Sequence, residues 1–342
     1  MILHVMIIDK FLAPFIDFVD KQFGRGEHKY VFINDEEYKY GLEKRHNIEF
    51  LNSDDEVFVV LKKYMYEAKK IILHGLWRDR VDQLLYDNED LLKKCYWIMW
   101  GGDFYFPETK STIRHAVIKK MGHLITYIRG DYFLVQEWYD AKGEYHECFM
   151  YPSNLYKDYA IKLKKHITIN IQLGNSADPT NMHIDLLEDL TIYKDANIKI
   201  FTPLSYGDQV YANKVIKRGK ELFGEKFIAL HSFMPIERYL EFLSNIDVAI
   251  FAHKIQQAMG NTIMLLGLNK KVYMRIERTP WKFFKEIDVK IFDLQDIGKD
   301  LLDINIKIEN KQNIKKYFSE NNLKIQMNKL LEIDILSYKN DL

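Results

Sequence analysis

The chain has 342 residues, 47 % of them hydrophobic and 29 % charged, with 49 basic and 49 acidic side chains. That length suits roughly two domains of about 100–200 residues, and the composition sustains a core and excludes a disordered chain. A formal charge of zero lacks the basic surplus that a nucleic-acid binder needs to neutralise phosphates.

The first strand is expected over Val5–Ile8, within MILHVMIIDKF. This stretch has no basic n-region and no small-residue cleavage site, so it does not read as a signal peptide. Further strands are expected at Tyr30–Ile33, Ile71–His74, Tyr96–Trp100 and Leu124–Ile128, with a helix over Val57–Lys70. The polar stretch from Tyr151 to His166, carrying Pro152, reads as a linker. A second series of strands follows at Ile167–Leu173, Ile198–Pro203, Phe227–His231, Val248–Phe251 and Val272–Arg275. Helical patterns separate them, near Thr180–Leu190, Asp208–Phe223, Pro235–Asn245 and Asn261–Leu268. A lysine- and asparagine-rich stretch, Asn310–Leu331, has helical spacing.

Alternating strands and helices imply parallel sheets covered on both faces. The expected architecture is α/β, with two Rossmann-like domains facing a central cleft. Residues 1–155 are expected to form the first domain, 156–309 the second and 310–342 a helical tail. Cys95 and Cys148 are too few for a disulfide framework or a cysteine-rich zinc site and suit a cytoplasmic setting. No uncharged apolar run approaches about 18 residues, so membrane association is expected to be peripheral.

Ligands of such sheets bind beyond the carboxyl ends of the strands, so the chemistry is sought there. In the first domain, His74-Gly75 ends one strand and Trp100-Gly101-Gly102-Asp103 another. The glycines permit close ligand approach, and Asp103 is a candidate general base, with His74 as a rival. In the second domain, Gly174-Asn175-Ser176 with Asp178 is rich in small polar groups and suited to holding an anion. His183 follows one helical turn later as a third candidate base. Tyr206 can stack on a base or sugar. Gln256 and Gln257 offer neutral hydrogen bonds to a sugar, and Gly260-Asn261-Thr262 stands where a helix N-terminus favours a diphosphate.

The bland readings run alongside. Asp103, Asp178, Asn261 and Thr262 are also helix caps, and basic groups at Lys62–Lys70 and Arg114–Lys120 are also solvated faces. Other chemistries lack their signatures. There is no G-x-x-x-x-G-K-[ST], H-E-x-x-H or G-x-S-x-G, and no G-x-G-x-x-G after the first strand. Acidic clusters at Asp35–Glu37, Asp54–Glu56 and Asp87–Asp90 lie in polar connections, and no Asp-x-Asp pair at a strand end bridges a metal to a diphosphate. From Phe251 to Ile276 there is no carboxylate to clamp a ribose, which favours a thymidine nucleotide over a uridine one.

Taken together, these motifs resemble the TDP-Fuc4NAc:lipid II Fuc4NAc transferases, glycosyltransferase family 56, of enterobacterial common antigen assembly. His74-Gly75 looks like the family's H-G element, and Trp97 to Tyr105 its W-x-x-W-G-x-D-x-Y segment. Arg129-Gly130-Asp131 is similar to its R-G-D element, and Gly174 to His183 to its G-N-S-x-D-x-x-N-x-H-I run. Gln256-Gln257 with Gly260 and Thr262 resembles Q-Q-G-I-G-T, but is one residue longer and carries Ala258 in place of a glycine. Ser205 also replaces a glycine in the partial match at Pro203–Gly207.

The resemblance implies a GT-B glycosyltransferase of the hexosyltransferase class with a dTDP-sugar donor and no metal. It further implies an undecaprenyl-diphosphate-linked acceptor at the inner membrane face, with Gly75, Trp100, Gly101, Gly102 and Arg129 on the acceptor side. A sugar-nucleotide 2-epimerase of similar architecture, or a two-lobed sugar-binding protein, remain the alternatives.

Overall fold

The computed structural model describes residues 1–33, 42, 45, 47–158, 166–232 and 234–331. The chain divides into two compact units, Met1–Leu155 with Glu320–Leu342, and Tyr156–Ser319.

The first unit is built on β1 (Ile2–Met6), β2 (His28–Ile33), β3 (Ile48–Leu51), β4 (Lys70–His74), β5 (Cys95–Ile98), β6 (His123–Ile125) and β7 (Glu144–His146). They form one parallel sheet in the order β3-β2-β1-β4-β5-β6-β7. β1 is buried at every position, as a strand covered on both faces must be. The helix Leu12–Phe23 covers the sheet by burying Leu12, Phe15, Ile16 and Val19, one stripe at helical spacing.

The second unit carries β8 (Ile169–Leu173), β9 (Ile198–Pro203), β10 (Phe227–Leu230), β11 (Val248–Phe251), β12 (Lys271–Met274) and β13 (Phe292–Asp293). Its parallel sheet runs β10-β9-β8-β11-β12-β13. Ile171, Leu173, Ile200, Val248 and Ile250 from the sheet join Leu187 and Val215 from helices in one core.

Several expectations shift. The strands β3, β7 and β13 were not expected; each is short and carries no continuous apolar run. The expected helix over Val57–Lys70 is a π-helical turn, Glu56–Leu61, continued by an α-helix, Lys62–Glu67, and Lys70 already belongs to β4. The tail does not act as one segment. Lys311–Tyr317 stays with the second unit, whereas Glu320–Leu331 packs on the first. There Gln326 accepts the Phe149 N–H at 3.1 Å and the Leu330 carbonyl accepts Lys70 Nζ at 2.7 Å. Of the expected linker, Tyr151 is buried in the first unit and Pro152–Asn154 is a single 3-10 turn. The cluster Asp35–Glu37 and residues 159–165 of the linker lie outside the described residues.

Candidate functional site

Strand order locates the candidate sites before any side chain is considered. Each sheet reverses its winding once, between β1 and β4 in the first unit and between β8 and β11 in the second. Adjacent connections leave such a switch point in opposite directions and open a crevice at the carboxyl ends of the strands. The chain after β4 is Gly75–Trp77, and after β8 it is Gly174–Ala177.

In the first unit, Gly75 takes φ +81°, and a Cβ there would lie 2.2 Å from Trp77 Nε1. A Cβ on Gly102 would meet the same indole at 2.7 Å. Both glycines therefore make room for Trp77, which was not among the expected site residues, rather than for a ligand. Trp77 is partly exposed and lies edge-on to Trp100. Gly101, also expected on the acceptor side, is buried as the first residue of the short helix Gly101–Phe104.

Asp103 is not at a solvent-facing loop tip. It is fully buried at the third position of that helix. Its Oδ2 accepts the Trp97 indole N–H at 2.9 Å and the Trp100 main-chain N–H at 3.2 Å. Burial pushes its carboxyl up from 3.8 to about 7, opposed by the hydrogen bonds from Trp97, Trp100 and Leu76. The value suits a general base, but the enclosure denies it a substrate.

His74 is also interior. It belongs to a file of rings in which His28 Nδ1 meets His4 Nε2 at 2.9 Å, and His4 Nδ1 meets His74 Nε2 at 3.0 Å. His74 Nδ1 then meets the Tyr151 hydroxyl at 2.9 Å. Trp100 Nε1–H donates to the same hydroxyl at 3.2 Å. Burial lowers His74 to about 3 and His28 to about 4, so the file is neutral at pH 7. This fixes three parallel strands and Trp100 in register by buried, paired polar groups. Asp9, just past β1, is a partly exposed carboxylate that the strand-end motifs passed over. Arg129 is exposed, and its guanidinium lies over Phe133 at 5.6 Å and Tyr145 at 5.9 Å.

In the second unit, three expected loops meet. Asn181 Oδ1 accepts the Asn175 N–H at 3.0 Å and bonds His253 Nε2 at 3.0 Å. Gln257 donates to Thr180 Oγ1 at 2.9 Å, and Asn175 Nδ2 to the Tyr206 hydroxyl at 3.0 Å. Asp178 Oδ1 accepts the N–H and the hydroxyl of Thr180. Gly174 takes φ +65°, and a Cβ there would lie 2.3 Å from His183 Nε2 and 2.7 Å from Asn181 Oδ1. Asn181 and His253 are thus the hub of this loop cluster, and neither was among the expected site residues.

Two expectations change as a result. Two of the three amides of the Gly174–Ser176 loop are committed to holding it. Gly174 N–H donates to the Ile250 carbonyl and Asn175 N–H to Asn181. Ser176 itself is buried. His183, the third candidate base, does not lie at the surface, and neither ring nitrogen has a hydrogen-bond partner. It is fully buried against Gly174, and desolvation lowers it to about 4.

The helix Met259–Gly267 begins earlier than expected, after Ala258 at φ +56°. Its first intrahelical bond runs from Thr262 N–H to the Ala258 carbonyl. Thr262 therefore donates inward, and the unclaimed helical amides are those of Met259, Gly260 and Asn261. The Asn261 side chain accepts the Tyr239 hydroxyl. A narrow cavity adjoins this helix start, lined by His253, Gln257, Met259, Thr262, Arg275 and Arg278. Arg275 Nε donates to the Ala252 carbonyl at 3.0 Å. Arg278 Nε is buried with no hydrogen-bond partner. Sequence reading missed this arginine because it stopped at the strand end, three residues short. Gln256 lies in the same loop, partly exposed. Glu277 lies one residue beyond the carboxylate-free window, exposed and paired with Arg275 at 3.3 Å.

The basic groups expected at a membrane are mostly committed. Arg114 is buried against Asp82 at 2.6 Å, and Lys120 pairs with Glu89. Among the described residues no helix is long and apolar enough to cross a membrane.

A family model described as 4-alpha-L-fucosyltransferase, glycosyl transferase group 56, matches residues 12–329. Among solved structures, a UDP-forming α,α-trehalose-phosphate synthase from Burkholderia xenovorans aligns with TM-score 0.68 at 10 % identity, covering 96 % of this chain and 97 % of that one. Anabaena Alr3699/HepE, in complex with UDP and glucose, aligns with TM-score 0.66 at 12 % identity over 96 % and 98 %. WaaG, a glycosyltransferase involved in lipopolysaccharide biosynthesis, aligns with TM-score 0.62 at 11 % identity over 96 % and 98 %. At these identities the likeness is one of fold, that of GT-B glycosyltransferases.

Proposed function

The chain belongs to glycosyl transferase group 56 and is a glycosyltransferase, and from that premise we propose that it moves a 4-amino-4,6-dideoxy or related deoxy sugar from a dTDP-sugar to an undecaprenyl-diphosphate-linked glycan. The transfer is a single displacement that inverts the anomeric centre without a metal, at the inner face of the cell membrane.

The observation that carries this reading is the pairing of a helix N-terminus with a guanidinium whose buried Nε has no partner. The helix start at Met259 and the side chain of Arg278 border one cavity in the second unit. A leaving diphosphate gathers negative charge as the glycosidic bond breaks. Fixed donors and a cation offset that charge without reorganising. Asn181 and His253 hold the neighbouring loops, leaving Gln256 and Tyr206 to face the nucleoside or sugar. On the first unit, Asp9 takes the proton of the acceptor hydroxyl, and Asp103 and His74 hold Trp100 in place.

The thymidine preference rests on the carboxylate-free run from Phe251 to Ile276. The lipid acceptor is supported by the exposed Val59 and Tyr66 on the helical stretch Glu56–Glu67, an apolar surface of the kind that meets lipid, although Lys63 there is paired with Glu67. The test combines calorimetry with turnover. dTDP is expected to bind more tightly than UDP, and Arg278→Ala to weaken dTDP about tenfold or more, the loss of one charged hydrogen-bonding partner. dTDP release from a dTDP-sugar is expected only when a polyprenyl-diphosphate glycan is added. Clear UDP preference overturns the donor assignment, and a new sugar formed without acceptor overturns the transfer in favour of epimerisation.

A further inference from the structure

The strands β6 and β7 lie next to one another in the sheet of the first unit, and their N-terminal ends face away from the strand ends considered above. Their parallel register sets His123 opposite Glu144, and Ile125 opposite His146. Residues two apart in a strand project from the same face. Glu144 and His146 therefore share a face, and His123 joins them across the pair.

The ligating atoms converge. His123 Nδ1 lies 3.0 Å from His146 Nε2 and 3.3 Å from Glu144 Oε2, and His146 Nε2 lies 3.7 Å from the same oxygen. A tetrahedral ion bound at about 2.0–2.1 Å separates its ligand atoms by about 3.3–3.4 Å. The observed edges bracket that value, so an ion fits with little movement of the side chains.

The surroundings fit as well. The His123 ring hydrogen-bonds the Lys93 main chain and stacks on Tyr96 with centroids 3.9 Å apart and planes 4° from parallel. A second contact of this kind fixes ring orientation and tautomer in ligand histidines. The charges facing the group are the Glu144 carboxylate and, behind Tyr96, Lys70, whose ammonium is drawn to the Leu330 carbonyl.

We propose that His123 Nδ1, His146 Nε2 and a Glu144 carboxylate oxygen form a three-ligand site for one divalent transition metal ion of the zinc class. The fourth position is open to water. Two imidazoles and one carboxylate select such ions over magnesium or calcium, which take oxygen ligands. The ion ties β7, an edge strand of three residues, to its neighbour. The site is separate from donor binding, so metal-independent transfer stands or falls apart from it.

The full chain, stripped with a chelator, is titrated with Co2+ and then with Zn2+. One equivalent of Co2+ is expected to give the intense visible bands of a four- or five-coordinate ion, displaced by Zn2+, and Zn2+ is expected to raise the Tm. Glu144→Gln, a change at an exposed side chain, and His146→Ala are expected to weaken binding about tenfold or more. His166→Ala, a histidine of the second unit outside the group, is expected to bind normally. Circular dichroism of each apo variant separates lost ligation from lost folding. No Co2+ bands, or bands unchanged in a folded Glu144→Gln and His146→Ala, overturn the site.

Discussion

Replacing Asp103 with asparagine tests the account of the first unit most directly. Burial raises the Asp103 carboxyl from 3.8 to about 7. Between those values the folded chain holds a proton that the unfolded chain has released. Stability from this group is therefore present at low pH and lost as pH rises through about 7. The loss is about 1.4 kcal/mol for each pH unit between the two values, which sets a ceiling of about 4 kcal/mol for the whole window. Asparagine does not titrate, yet its carbonyl can still accept from the Trp97 indole and the Trp100 amide. The difference in unfolding free energy between variant and wild type is then expected to move in favour of Asp103→Asn by up to about 4 kcal/mol from about pH 4 to about pH 8. The buried histidines destabilise the fold on the acid side, because their folded values are lowered. They are common to both proteins and cancel in the difference. Urea denaturation at half-unit pH steps measures it. A difference that stays flat across the range refutes the raised carboxyl, and with it the buried hydrogen-bonded geometry.

Two further substitutions probe the second unit. Gly174→Ala places a Cβ within 2.3 Å of His183 Nε2 at φ +65°. It is expected to cost about 2–5 kcal/mol, from the left-handed backbone and overpacking together, and a loss under about 1 kcal/mol by chemical denaturation would contradict the packing of His183. Ala258→Gly relieves a non-glycine residue at φ +56°. It is expected to stabilise by about 0.5–1 kcal/mol once the entropy of glycine is set against the relieved strain; a lowered Tm would count against that backbone conformation.

Much of the molecule was legible because its rules are local. Apolar runs such as Ile71–Leu73 and Val248–Phe251 state their own burial, and their alternation with helical patterns dictates parallel sheets. The switch points then follow from strand order, and the strand-end loops are where a ligand is to be sought. The short edge strands escaped notice because two to four residues have no measurable period. The register that unites His123, Glu144 and His146 is invisible for the same reason.

What only the tertiary structure decided is the direction in which each polar group points. Gly75 and Gly102 announce empty space in sequence, but a tryptophan two residues from one and far along the chain from the other fills it. Asp103 and His74 stand at or just past strand ends as a catalytic group would, yet their partners lie inward, on Trp97 and Tyr151. Asn181 meets His253 across 72 residues of chain, and such a partner cannot be inferred from spacing. A strand-end loop rich in small polar residues is required both by a ligand and by a turn that must satisfy its own amides, and the sequence is the same in either case. The Gly174 and Asn175 amides turned inward, and the proposed anion-facing role passes to the helix start at Met259 and to Arg278.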